Sequence, residues 1–400
     1  MSWPTCTSDR AGPMMPAVPR RLVLGAAFCL GLLAAPAWAD APPADGCRVA
    51  FDVGSSGIRA GATGSAAVPR ADIDYLAPLM AGRSLDDTVP ATVAALFATS
   101  GLPAQAGFDP GCRRVAGGFS AWRLALSRDP AALAATLATI RAKSGVPLLV
   151  IPQTVEGAYG YFAARQALGE ALTTSHVLDI GGGSLQIAGA HTSFGDNLGQ
   201  KVWHRQLCQV IRRSSDAPCV LQPLAPEQLA AVRNWLGEKL RPAAQALGGS
   251  VTLTAISRPV TRGVLPALER LQGAAGKKDE AAAGSTLGTL SLASLSAAID
   301  RLAGLTLAET ADRVGSQPRY AAYLLSDMLL VEGLLRATGS TVLKVAELDL
   351  TNLPGLLADD RAYAWGERYG CYLERLGRQG LAAYASDPAT CPAEAPPPRP

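Results

Sequence analysis

The sequence predicts an α/β protein made of two duplicated lobes with a phosphate-binding cleft between them. Two stretches carry this reading. Residues 177–190 read VLDIGGGSLQIAGA: an apolar strand, Asp179, then Gly181, Gly182, Gly183 and Ser184, then a second strand containing Gln186. Residues 48–62 read RVAFDVGSSGIRAGA and repeat that order, with Asp52 followed by Gly54, Ser55, Ser56 and Gly57. Chain that passes from strand to strand through glycines can line up backbone N–H groups in a concave turn, a nest for phosphate oxygens. Glycine also lets the backbone come close to a ligand. One such loop is equally a plain hairpin turn. Two, each opening its own half of the chain, point to a duplicated lobe whose loops face each other. Each aspartate stands at a loop mouth, where a carboxylate beside phosphate requires a cation between them.

This arrangement resembles the actin-like ATPase superfamily, with its ribonuclease H-like lobes. It implies a first lobe over residues 47–172 and a second over 173–358. The first 39 residues stand apart from both. Arg20 and Arg21 precede the run LVLGAAFCLGLLAAPA, and Ala37-Trp38-Ala39 gives the small-x-small cleavage pattern of a signal peptide. The run is too short for a comfortable transmembrane span, and Phe28 before Cys29 does not suit lipoprotein processing. The expected mature chain therefore begins near Asp40, without a transmembrane segment, and is periplasmic or secreted. The whole chain carries 36 basic and 33 acidic residues, a net charge of +3. Losing three arginines and one aspartate with the leader brings this to about +1, and no long basic run remains, so a nucleic-acid partner is not expected. Nothing in the sequence fixes the oligomeric state.

Six cysteines stay in the expected mature chain: Cys47, Cys112, Cys208, Cys219, Cys371 and Cys391. An even number in an exported protein favours disulfides, although six allow fifteen pairings. Sequence proximity and the two-lobe layout favour Cys47–Cys112, Cys208–Cys219 and Cys371–Cys391. Zinc is the rival, but there is no CxxC pair and His176, His191 and His204 lack ligand spacing to the cysteines.

Between the two loops, apolar helical patterns cover residues 89–99 and 130–144. The second has Asp129 as cap and Pro130 just inside. GVP then leads into a buried strand, PLLVI, and into the helix QTVEGAYGYFAARQAL. Glu156 falls where strand gives way to helix. A carboxylate there is favoured by the helix dipole and is explained by that alone; the functional alternative is a general base facing the phosphates.

Taken in order, DVGSSGIR, the helical segment with Arg123, VPLLVIPQTVEGAYGYFAAR and VLDIGGGSLQI resemble the exopolyphosphatase/guanosine pentaphosphate phosphohydrolase family. The likeness covers most of residues 47–358. DVGSSGIR, VEGAYGY and GGGSLQI are also similar to the blocks of the nucleoside-triphosphate diphosphohydrolases, or apyrases, which share the fold and the chemistry. The chain departs from these patterns at Phe119, where a threonine is usual, and at Val155, where the exopolyphosphatases carry an acid. VTLTAISRPVTR lacks their paired glycines and TNLPGLL lacks an expected arginine.

The resemblance implies hydrolysis of a terminal phosphoanhydride in polyphosphate or a nucleotide. Gly54, Ser55, Ser56 and Gly57 would hold one end of the phosphate chain, and Gly181, Gly182, Gly183 and Ser184 the other. Asp52 and Asp179 would position a hydrated Mg²⁺ or another hard divalent cation. Glu156 would deprotonate the attacking water. Gln186 and Arg123 are further phosphate contacts, Gln186 also helping to place the water; Arg123 equally suits an ion pair with an acid between the lobes. A protein that binds nucleotide or polyphosphate without cleaving it is the non-enzymatic alternative, and it could dispense with the Glu156 carboxylate. A kinase of the same fold is disfavoured, because an exported chain has little access to ATP.

The remaining segments read as structural. KKDEAAAG, residues 277–284, is expected to be a solvated loop. Residues 359–386 are expected to form a C-terminal helix that packs on a lobe, with an amphipathic pattern over 361–385 carrying Trp365, Tyr369 and Tyr372. Residues 387–400 are expected to be a flexible tail.

Overall fold

The computed structural model describes residues 46–100, 108–109, 111–214, 219–273, 287–348 and 352–394. The expected signal peptide and the polar stretch 277–284 lie outside these residues. In the first lobe the strands are β1 (Arg48–Val53), β2 (Gly57–Ala62), β3 (Arg70–Asp72), β4 (Arg113–Gly118) and β5 (Leu148–Val150). They lie in the order β3-β2-β1-β4-β5, with β1 antiparallel to β2 and parallel to β4.

The second lobe repeats this plan. Its strands are β6 (His176–Ile180), β7 (Leu185–Gly189), β8 (Ser193–Asp196), β9 (Leu253–Ala255), β10 (Gly288–Ser291) and β11 (Val342–Val345). Their order is β10-β11-β9-β6-β7-β8. As in the first sheet, β6 pairs antiparallel with β7 and parallel with β9. The duplication expected from the two glycine motifs is present as two sheets of one topology, β10 being an added edge strand.

The centre of each sheet is apolar on both faces, as a strand covered by helices on both sides must be. Val49, Ala50, Phe51 and Val53 of β1 are fully buried, and Leu178 of β6 likewise. The second core is completed by the long helices Pro226–Leu247 and Pro318–Ala337. The helix Gln153–Leu168 follows the first lobe's β5 in sequence yet packs on β7 and β8 of the second sheet. It therefore presents its first turn, with Glu156, between the lobes.

The chain returns to the first lobe earlier than residue 358. The helix Leu353–Ala358 packs on β1, β2 and the Gln153–Leu168 helix, and Leu353 and Leu356 join the first core. The expected C-terminal helix is three pieces: Asp360–Gly366, Tyr369–Gln379 and Ala382–Ala385. The break after Gln379 follows from Gly380, whose φ of +58° suits glycine and ends the helix. These pieces pack on the first lobe for a specific reason. β5 is an edge strand, and edges leave backbone groups unpaired. The Tyr369 hydroxyl accepts from Leu148 N (3.3 Å) and donates to Leu148 O (2.8 Å); Tyr372 bonds Val150 in the same way.

The expected flexible tail is fixed as far as Glu394. Cys391 is bridged to Cys371, Glu394 N donates to Glu367 O (2.8 Å) and Glu394 Oε1 accepts from Gly370 N (2.5 Å). The other two bridges are Cys47–Cys112 and Cys208–Cys219, the pairs that sequence proximity favoured. That leaves none of the six cysteines for zinc. Among the described residues, no helix is long and apolar enough to cross a membrane.

Candidate active site

Each glycine loop is tied down by its carbonyls. In the first, Gly54 N donates to Gly57 O (3.0 Å) and closes the turn. Ser55 O accepts from Tyr75 N (3.0 Å) and Leu76 N (3.3 Å), and Ser56 O accepts from Ile73 N (3.2 Å). A trans peptide points its N–H opposite to its C=O, so the amides of Ser56 and Gly57 face away from these partners. Gly57 has a φ of +154°, and a Cβ there would run into Ala71 O of β3. In the second loop Gly181 N donates to Ser184 O (2.8 Å). Gly181 O accepts from Gln200 N (2.9 Å) and Gly182 O from Lys201 N (2.8 Å), both at the start of the helix Gln200–Leu207. The amides of Gly182 and Gly183 are thereby turned to the opposite edge.

None of Gly181, Gly182 and Gly183 has a positive φ. They are glycines because other groups come close. A Cβ on Gly182 would lie 2.9 Å from Ser55 Oγ of the first loop, and one on Gly183 would run into the Ser120 hydroxyl. The loops of the two lobes thus face each other as the duplicated motif implied. Gly199 supports the second loop from outside, since a Cβ there would strike Ser184 N, Gly181 O and Gly183 C. Sequence reading missed Gly199 and Ser120: each lies just outside the recognisable motif.

Glu156 is 8 % exposed. Its Oε2 accepts from the Arg123 guanidinium (2.6 Å) and from Gln186 Nε2 (2.8 Å). Arg123 also donates to Ser184 Oγ (2.8 Å) and Ile151 O (2.8 Å), and Gln186 Nε2 to Ser184 Oγ (2.9 Å). Both partners use Oε2, which leaves Oε1 for the cleft. Ser184 accepts twice, so its own proton is available to donate. Arg123 and Gln186 stand behind Glu156, each only 2 % exposed, and do not line the cleft. Here both side chains contact the Glu156 carboxylate, the ion pair being the alternative open for Arg123 beside a phosphate contact.

The cleft has a volume of about 510 Å³. Asp52, Gly54, Ser55, Ser56, Gly57, Glu156, Asp179, Gly181, Gly182 and Ser184 all line it, while Gly183 borders a second cavity behind the loop. Arg59, Lys201 and Arg258 add positive charge to its walls, as a polyanion requires, while Arg70 is paired there with Asp72 (3.1 Å). Burial pushes the Asp52 carboxyl up to about 6; Arg59 lowers it, Glu156 raises it and a hydrogen bond from Asn352 lowers it. Asn352 Oδ1 is a buried acceptor without a donor beside this carboxylate. Asp52, Asp179 and the Asn352 oxygen are hard oxygen donors, which fits a divalent cation. Among the described residues no cluster of three or more His, Cys, Asp or Glu side chains could hold a metal.

Comparisons with known proteins agree with this fold. A crystal structure of an Aquifex aeolicus Ppx/GppA family member superposes with a TM-score of 0.56 at 17 % identity, over 78 % of this chain and 95 % of that one. An exopolyphosphatase from Cytophaga hutchinsonii superposes with a TM-score of 0.51 at 17 % identity, over 78 % and 96 %. An uncharacterized protein of Streptomyces coelicolor is 30 % identical over 209 residues, which is 51 % of this chain and 57 % of that relative's length. The Ppx/GppA phosphatase family model matches residues 128–350, a stretch that includes Glu156, Asp179 and the second loop. With the fold extending the likeness upstream to the first loop, the chain belongs to the Ppx/GppA phosphatase family, whose members are hydrolases of phosphoanhydride bonds.

Proposed function

We propose that the chain is an exported phosphoanhydride hydrolase that releases terminal phosphate from polyphosphate or a related polyphosphorylated substrate. The observation that carries this is the Glu156 carboxylate between the two glycine loops, one oxygen fixed by Arg123 and Gln186 and the other left for the cleft. A phosphate chain laid across the cleft would take the amides of Ser56 and Gly57 at one end and those of Gly182 and Gly183 at the other. Glu156 would accept a proton from water as the water oxygen bonds to the terminal phosphorus. The bridging P–O bond breaks, and its electron pair leaves with the shortened chain. A general base in such a position contributes about 10²–10⁴-fold.

A divalent cation such as Mg²⁺, held through water by Asp52 and Asp179, would neutralise charge on the transferring phosphoryl group, where most catalysis of this reaction lies. The basic residues Arg59, Lys201 and Arg258 favour a negatively charged substrate. Three disulfides support an oxidising compartment, in keeping with the leader expected from the sequence.

The test is phosphate release by the purified mature chain with Mg²⁺, offered polyphosphate, ATP, ADP and guanosine pentaphosphate in parallel. Turnover of polyphosphate above the nucleotides is expected. Preference for ATP or ADP would shift the assignment to an apyrase-type activity, and binding without turnover of any would refute the hydrolase.

A further inference from the structure

We infer that the Ser120 hydroxyl is a further phosphate ligand, an arm from the first lobe that closes on the second lobe's loop at Gly183. The inference rests on the phosphate-cleft reading above and names a contact that reading does not contain. Ser120 is 8 % exposed, and its Oγ is buried with no hydrogen-bond partner. Buried hydroxyls are ordinarily paired, and this one lies in a wall shared by the main cleft and the cavity of about 280 Å³ behind it. It stands on the Cβ side of Gly183, as Ser55 Oγ stands on the Cβ side of Gly182. Two first-lobe hydroxyls therefore straddle the two glycines whose amides face away from the Gln200–Leu207 helix. A phosphoryl oxygen seated on those amides would be within reach of both hydroxyls as donors.

The backbone supports a functional role without carrying it. Ser120 has a φ of +20°, sparsely populated for a residue with a side chain. The strain holds the hydroxyl at the start of the helix Ser120–Arg128, which has no side-chain cap and whose Arg123 pairs with Glu156. A serine kept in a strained conformation for an unmade hydrogen bond has no gain in the empty protein. A ligand oxygen supplies the missing acceptor.

The experiment compares wild type, Ser120→Ala and Ser120→Gly, with tripolyphosphate plus Mg²⁺ as the probe, read by thermal shift and by isothermal titration. The alanine removes the hydroxyl alone; the glycine also relieves the φ. Both should melt at or above the wild-type temperature without ligand, and both should bind tripolyphosphate about tenfold or more weakly, the worth of one hydrogen bond to a charged group. Tripolyphosphate bound as tightly by both variants as by wild type overturns the inference. So does weaker binding in alanine alone, because a ligand contact must be lost in both. No binding by wild type removes the phosphate-cleft reading itself and the inference with it.

Discussion

The Arg123 guanidinium reaches Glu156 Oε2 at 2.6 Å from the side away from the cleft, with both side chains buried. Its three partners come from distant parts of the chain: Ile151 O at the end of β5, Glu156, and Ser184 in the second loop. Removing one partner of a buried pair costs about 3–5 kcal/mol. Arg123→Met should therefore lower unfolding free energy by that order in a urea titration and cut kcat by about tenfold or more. Arg123→Lys keeps the charge but not the fork that serves three acceptors; it should recover part of the stability and little of kcat.

Gly199 makes a sharper prediction, because only backbone surrounds the place of its missing Cβ. Gly199→Ala should push the second loop off its seat against the Gln200–Leu207 helix. Overpacking of this kind costs about 1–3 kcal/mol. Phosphate-release kinetics should show a kcat/KM loss well beyond what a fall in stability explains, since the protein stays folded at assay temperature.

Asp327 ties the pH dependence of stability to burial. Its Oδ2 accepts from Gln200 Nε2 (2.6 Å) while Oδ1 is buried without a partner. Burial pushes its carboxyl up to about 8, the Gln200 hydrogen bond opposing. The folded state therefore holds a proton that the unfolded chain, with an ordinary value of about 4, releases. Stability should fall as pH rises from about 4 to about 8, and the full cost is present above that range. Asp327→Asn should flatten this slope in Tm measured against pH and melt higher than wild type at pH 9.

Asp359 links the C-terminal helices to the Glu156 helix. Oδ1 accepts from Arg361 N (2.9 Å) and Ala362 N (3.3 Å), and Oδ2 accepts from the hydroxyls of Tyr159 (2.5 Å) and Tyr384 (2.6 Å). Tyr159 lies one turn beyond Glu156. Asp359→Ala removes a cap and the acceptor shared by two buried hydroxyls, which are left only the bond between them (3.1 Å), a loss of about 2–3 kcal/mol by these terms. Chemical denaturation should show it, and kcat should fall a few-fold with KM little changed.

Much of this was legible in the sequence because glycine motifs and strand patterns are local. The two loops, both aspartates, Glu156 and the strands flanking the loops are carried by short stretches. What escaped depends on contacts between distant segments. The ion pair of Arg123 was one of two readings open to it, but Gln186 carries chemistry suited to phosphate, and only the approach of the Gln153–Leu168 helix to β7 turns it toward Glu156. The return to the first lobe at Leu353, instead of after 358, is set by apolar packing on β1 and β2, which has no signature at that boundary. Phe119 was visible as a departure from the family pattern; the buried hydroxyl one residue on was not, because its orphaned state exists only in three dimensions.

The most direct test of the account replaces one atom of the central carboxylate. Tripolyphosphate binding and phosphate release would be measured side by side for wild type and Glu156→Gln. The account predicts that the variant binds with nearly wild-type affinity and releases phosphate about 10²–10⁴-fold more slowly. Release at the wild-type rate by Glu156→Gln would contradict it.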